Sequence, residues 1–280
     1  MSVYSNQIKA YDLIQKRFQT QGFCGAMIIL KFIQCSINKN KIMNTKFKIQ
    51  ENQYIRPYHQ FMSFEPFRMS ELYNDSLSYY GYVGVAMSFI QGDNIAEVGC
   101  GDGKILKELA TRHPEKFFEG FDLSNRAILF AKAFGAGLNI KFYDEDFSQG
   151  DTLYDTIFCI ETLEHISDED MISFVNSLYK RLKSKGRLII TVPSENLKLI
   201  SKHYRHYNTE ILEKNLKQFL NIKYLYVDSN KGFWLRRILA NRLFILNNRF
   251  LIDFVLNIYK KKYMYARERD CAHIVGVFTK

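Results

Sequence analysis

Between residues 94 and 193, short β-branched and aromatic runs alternate with segments whose apolar residues recur every three or four positions. The first pattern suits a buried strand and the second an amphipathic helix. Strands are predicted at 95–98, 117–121, 140–142, 156–160 and 187–192, with helices over 103–111, 125–134 and 168–183. Ser124 and Ser167 stand where helix N-caps belong, and Lys183 to Gly186 supply a stop ahead of the fifth strand. Farther on, 209–219 reads as a helix, and 222–227 and 273–278 as two closing strands. This alternation predicts an α/β architecture: a doubly wound, Rossmann-like, seven-stranded sheet, mostly parallel, with helices on both faces.

Two regions flank that pattern. Residues 1–92 read as an N-terminal helical extension that ends in the aromatic-rich entry Tyr54 to Phe61, and 93–280 as the main domain. Within the latter, 229–272 is a helical insertion between the last two strands, since ordinary loops are far shorter. Its run 236–263 sets Ile238, Leu239, Leu243, Leu246, Phe250, Phe254 and Ile258 at helical spacing, with Arg236, Arg237, Arg242, Arg249 and Lys260 to Lys262 among them. Such a segment packs over the site as a cap or lies on a membrane surface. The apolar stretch 23–37 is broken by Lys31 and Gln34, too short for a span and without a cleavage site, so it reads as a packed helix.

Composition narrows the classes. With 47% apolar residues in 280, a disordered chain is excluded. Net charge by segment is +5 over 1–92, −6 over 93–195 and +11 over 196–280. Basic flanks around an acidic centre suit an anionic acceptor or an anionic membrane, though solvated helix faces give the same count. The five cysteines are odd in number, scattered and form no Cys-x-x-Cys, which argues against disulfides and zinc knuckles. A reducing compartment follows, the cytoplasm or the inner face of its membrane.

The sharpest motif is Glu97-Val-Gly-Cys-Gly-Asp-Gly103, between a strand and a helix. Gly99, Gly101 and Gly103 let backbone approach a ligand, and a helix N-terminus presents amides. A dinucleotide fingerprint needs a third glycine where Lys104 stands, and a phosphate loop needs glycine at Val98 and Ser or Thr at Ile105. Both fail. The acidic-x-Gly-x-Gly-x-Gly that remains resembles the class I S-adenosylmethionine-dependent methyltransferases. The resemblance implies that Glu97 and the loop hold the methionine part of S-adenosyl-L-methionine. It further implies that Asp122, with Leu123 beside it, takes the ribose, and that Asp146 and Phe147 meet the adenine. A ribose diol suits the two oxygens of one carboxylate.

A second motif, Glu161-Thr-Leu-Glu-His165, ends the fourth strand, at the sheet edge where ligands bind. On one helical turn, Glu161, Glu164 and His165 would converge, a set suited to Mg²⁺, Mn²⁺ or Zn²⁺. The motif is similar to that of ubiquinone-type O-methyltransferases and small-RNA 2′-O-methyltransferases, which implies a metal gripping neighbouring acceptor oxygens. Equally, Glu161 faces the cofactor, Glu164 is a cap and His165 is a general base or a wall residue. After the fifth strand, His203 and His206 in Lys202-His-Tyr-Arg-His-Tyr207 are further candidates for base or ligand, and Lys202, Tyr204, Arg205 and Tyr207 for gripping a sugar or phosphate. Much of 54–280 is similar to bacterial type 11 methyltransferases found with surface-polysaccharide genes.

The leading expectation is O-methylation of a hydroxylated small-molecule, glycan or lipid-linked acceptor, with peripheral membrane contact. The alternatives are 2′-O-methylation of RNA, against which stands the lack of an evident RNA-binding module, and a non-catalytic cofactor-binding partner subunit.

Overall fold

The computed structural model describes residues 48, 49, 51–55, 57, 59–61, 81–235 and 249–280. All of them belong to one compact unit, residues 45–280. Seven strands form one sheet: β1 (Asn94–Val98), β2 (Phe117–Phe121), β3 (Ile140–Tyr143), β4 (Tyr154–Ile160), β5 (Leu182–Pro193), β6 (Leu220–Ser229) and β7 (Cys271–Thr279). Their spatial order is β3-β2-β1-β4-β5-β7-β6. Neighbours from β3 to β5 pair parallel, and β7 runs antiparallel between β5 and β6. The order reverses between β1 and β4, which opens a crevice above their carboxyl ends.

The helices that flank the strands are α1 (Lys104–Arg112), α2 (Asn125–Phe134), α3 (Met171–Arg181), α4 (Thr209–Asn215) and α5 (Arg249–Ile258). Residues 81–87 are also helical. Two apolar cores lie on opposite sheet faces. One gathers Leu106 and Leu109 of α1, Ile128 and Ala131 of α2 and Val83 to Met87. The other gathers Val175 and Leu178 of α3 with Leu212 and Leu216. Each fully buried leucine stabilises the fold by roughly 1.5–3 kcal/mol, so the doubly wound arrangement follows from strands that are apolar on both faces.

Ser124 caps α2 by accepting from the Ala127 amide at 3.1 Å. Ser167 does not cap α3. It bonds Asp170, and the helix begins only at Met171, after a turn. The stop expected at Lys183 to Gly186 lies inside β5 instead. Pairing with β4 jumps from Leu182 to Arg187 there, and Lys185 takes a left-handed φ of 62°. Those residues bulge out of the ladder without ending the strand.

In the insertion, 236–248 lie outside the described residues, as do most of 1–80, so much of the cap and of the helical extension does too. What is described of the insertion is α5 and the wider turn Tyr259–Tyr263, packed through Leu235, Val255, Leu256 and Tyr259. Phe250 and Phe254 are exposed. Among the described residues no helix is long and apolar enough to cross a membrane.

Candidate active site

The glycine loop links β1 to α1, and all three of its glycines have left-handed φ, 77° at Gly99, 54° at Gly101 and 76° at Gly103. A Cβ on Gly99 would sit 2.3 Å from Thr162 Oγ1, and one on Gly103 2.8 Å from the Phe142 ring. Glycine is therefore required by both backbone angle and space. The loop is tied to the neighbouring strand, since the Gly99 and Cys100 amides both donate to the Phe121 carbonyl. The Gly101 amide donates to Asp122 Oδ2 at 2.9 Å and the Ser124 amide to Asp122 Oδ1 at 2.8 Å. Burial raises the Asp122 carboxyl, and these two amides pull it back down. Each oxygen retains capacity for a further donor.

Glu97 is fully buried near the end of β1, and its Oε2 has no hydrogen-bond partner among the described residues. Burial, then Asp122 and Asp102, hold its carboxyl well above the usual value. An orphaned buried acid beside a glycine cradle fits a ligand that brings a cationic group. Leu123 is exposed beside Asp122, and Asp146 caps the short turn Phe147–Gln149. The adenine contact expected of Phe147 is not open to its ring, which is buried, stacked under the Arg181 guanidinium at 4.1 Å and edge-on to Phe121. Arg181 claims the Phe147 carbonyl as well.

The segment before the main domain also reaches this loop, which its sequence does not reveal. The His59 amide donates to Asp102 Oδ2 at 2.8 Å, and Gln60 Nε2 donates to the Asp102 carbonyl. The Tyr54 hydroxyl lies so close to Gly101 that a Cβ there would be 2.5 Å away. Tyr54, His59 and Gln60 are therefore part of the site's wall.

On the other side of the crevice, Thr162 Oγ1 donates to the Val98 carbonyl, anchoring the loop after β4 to the glycine loop. Glu161 precedes it with a left-handed φ of 49°. Its amide donates to the Thr191 carbonyl, and Thr191 Oγ1 donates to its Oε1. Oε2 lies 3.8 Å from His273 Nε2, whose other nitrogen is 3.6 Å from the buried Asp228. His273, stacked on Tyr82 at 4.1 Å, is not singled out by the sequence, because it sits inside an apolar strand.

Glu161, Glu164 and His165, expected on one helical turn, do not share one. The turn is a 3₁₀ turn that starts at Leu163, so Glu161 falls outside it. Among the described residues the converging donors are instead Glu164, His165 and His203, whose ligand atoms lie within 4.8 Å of one another. Glu164 is 1% exposed, and neither carboxylate oxygen has a hydrogen-bond partner from another described residue. Burial first, and Glu161 second, hold its carboxyl well above the usual value. His165 Nε2 is 3.8 Å from Glu164 Oε1, while Nδ1 faces the Lys202 carbonyl at 3.3 Å. A carbonyl only accepts, so Nδ1 carries a proton, and in the neutral ring Nε2 holds the lone pair. An unpartnered carboxylate next to imidazole lone pairs is a donor set that fits a divalent cation.

Arg205, Tyr207 and His206 of the 202–207 loop have partners within the protein. Arg205 donates to the Ile166 carbonyl at 2.7 Å and pairs with Asp168. Tyr207 is buried and donates to the Leu163 carbonyl at 3.2 Å. His206 stands behind His203, with Nε2 2.9 Å from His203 Nδ1. Lys202 is half-buried, and burial lowers its ammonium while Glu164 and Glu161 oppose that shift.

Residues 95–186 match the family described as a methyltransferase domain. This stretch is a class I S-adenosylmethionine-dependent methyltransferase domain. Its curated relatives include a ubiquinone biosynthesis O-methyltransferase of Alkalilimnicola ehrlichii, 26% identical over 123 residues, 42% of this chain and 48% of that protein. The protein of the same description from Rickettsia conorii is 30% identical over 106 residues, 35% of this chain and 34% of that one. The chain thus spans about half or less of these relatives' length. Among solved structures, N-methyltransferase NodS of Bradyrhizobium japonicum, in complex with S-adenosylhomocysteine, superposes with a TM-score of 0.52. The match covers 85% of this chain and 99% of that one at 16% identity, a likeness of fold.

Proposed function

We propose that this protein transfers a methyl group from S-adenosylmethionine to a hydroxyl oxygen of a small-molecule, glycan or lipid-linked acceptor, and that neighbouring oxygens of that acceptor engage the Glu164 cluster. The observation that carries this reading is Glu164 itself. It is a buried, unpartnered carboxyl beside two imidazoles, on the same short turn as Thr162, which anchors to the glycine loop. The relatives named as O-methyltransferases support oxygen as the target.

When bound, S-adenosylmethionine supplies an electrophilic methyl on a sulfonium, and a divalent cation held by Glu164, His165 and His203 supplies a Lewis acid that draws acceptor oxygens. The chain's own work is alignment. Glu97 faces the cationic amino acid part, and Asp122 accepts from ribose hydroxyls. The Thr162 anchor fixes the spacing between cofactor loop and acceptor cluster. His165 and His203 each offer a ring nitrogen that ligates the cation or takes the hydroxyl proton as the oxygen–carbon bond forms. With a sulfonium leaving group, alignment is the dominant requirement.

The test is calorimetric titration with S-adenosylmethionine, followed by transfer of labelled methyl to 3,4-dihydroxybenzoate as a diol probe, with Mg²⁺ or with EDTA. Binding with cation-dependent labelling is expected. Absence of cofactor binding overturns the reading, and labelling that ignores EDTA removes the cation from it.

A further inference from the structure

The loop that supplies His203 is closed at its neck. Ser194 bridges to Tyr207, the Tyr207 amide donates to the Pro193 carbonyl and the Glu195 amide to the Tyr207 carbonyl. It is also clamped to the turn that carries Glu164, through Arg205 on the Ile166 carbonyl, Tyr207 on the Leu163 carbonyl and the Tyr204 amide on the Glu164 carbonyl. Within this rigid neck a line of three groups runs away from the cluster: His203 Nδ1 to His206 Nε2 at 2.9 Å, then His206 Nδ1 to the Leu197 carbonyl at 3.0 Å. Leu197 is itself fixed, since its amide donates to the Ser194 carbonyl.

The carbonyl sets the direction of every proton in that line. It can only accept, so His206 Nδ1 must carry a proton. In a neutral His206, Nε2 is then an acceptor, and His203 Nδ1 must donate to it. His203 in turn holds its lone pair on Nε2. An imidazole ligates or takes a proton only through an unprotonated nitrogen, and the hydrogen bond at the other nitrogen decides which one that is.

We propose that His206 is a positioning residue: through the Leu197 carbonyl it locks His203 in the Nδ1–H form, so that His203 presents an electron pair, not a proton, to the Glu164 cluster. The role depends on the cation-assisted reading above only for what the electron pair is used on. Sequence alone groups His203 and His206 as equals, whereas the fold ranks them: His203 acts at the cluster and His206 acts through it.

The experiment uses the full chain labelled with ¹⁵N and reads the His203 tautomer from two-bond proton–nitrogen correlations, in wild type, His206→Phe and His206→Gln. Wild type shows the Nδ1–H form. His206→Phe loses the acceptor and shifts His203 toward Nε2–H, while the Gln amide oxygen restores an acceptor and with it the Nδ1–H form. In parallel, titration calorimetry with Mn²⁺ and with Zn²⁺ reads affinity, which should fall about 10–100-fold in His206→Phe and largely recover in His206→Gln. A wild-type His203 protonated on Nε2, or a tautomer unmoved in His206→Phe, overturns the proposal. If the tautomer shifts as expected between wild type and His206→Phe but the wild type binds neither ion, the positioning role stands and the cation reading falls. Far-ultraviolet circular dichroism of both variants separates a lost fold from a lost hydrogen bond.

Discussion

Asp122 and Glu164 are both acids at the carboxyl edge of the sheet, and burial raises both carboxyls, yet the fold completes one and leaves the other open. Asp122 receives the Ser124 amide from its own loop and the Gly101 amide from the glycine loop beside it. These amides offset part of the cost of burying its charge, although its carboxyl stays raised overall. Glu164 receives no donor from another described residue on either oxygen, and Glu161 adds repulsion. A buried charge without donors is costly, so Glu164 stays protonated or waits for a cation from outside. The Asp122 side of the crevice is thus furnished with backbone amides, whereas the Glu164 side holds a buried acid with no donor among the described residues.

The largest test of that contrast is Asp122→Ala. It removes the proposed ribose acceptor and orphans two amides, each worth about 1–3 kcal/mol when left unsatisfied in a buried place. Affinity for S-adenosylmethionine should fall by about 100-fold or more, with a lowered melting temperature; unchanged calorimetric affinity would remove Asp122 from the cofactor site. Next comes Glu164→Gln, which should leave cofactor affinity within about two-fold while cutting methyl transfer by about 10²-fold or more, on the scale of a lost general-acid–base or metal-ligating group. Its melting temperature in the absence of cations should hold or rise, because no hydrogen bond from another described residue is lost and the buried side chain can no longer ionise. A drop as large as that of Asp122→Ala would show that the two acids are equally built into the fold.

The smallest effect concerns Glu97. Its carboxyl is raised above the ordinary value of 4.5 by burial, Asp122 and Asp102. The unfolded chain therefore loses this proton first as pH rises, so apo-protein stability from this group is full below 4.5 and declines above it, until the folded carboxyl also ionises. A cationic cofactor group beside Glu97 favours the carboxylate, so binding should release a proton and tighten as pH rises through that window. Calorimetry in buffers of different ionisation enthalpy measures the release; proton uptake would place the cationic group elsewhere.

Much of the cofactor half was legible in the chain because its geometry is local. Gly99, Gly101 and Gly103 must be glycine for reasons of φ and of space that spacing already announces, and Asp122 follows its strand directly. The acceptor half was legible only as a stock of residue types. Glu161-Thr-Leu-Glu-His165 read as one helical turn groups Glu161 with Glu164, but the left-handed φ at Glu161 sends its carboxylate to Thr191 and His273. Phe147, Arg205 and Tyr207 looked like ligand contacts and are bound up with Arg181, Asp168 and Leu163 instead.

By itself, then, the amino-acid sequence determined the strand and helix alternation, the placing of both motifs after the first and fourth strands and the need for glycine in the loop, since periodicity, glycine angles and capping residues act over a few positions. Tertiary structure alone decided which imidazole joins Glu164, which histidine stands behind it, and that Tyr54 and His59 wall the loop from far upstream. Those choices depend on where separate loops are brought together by burial and hydrogen bonding, a property of the packed sheet that no local spacing carries.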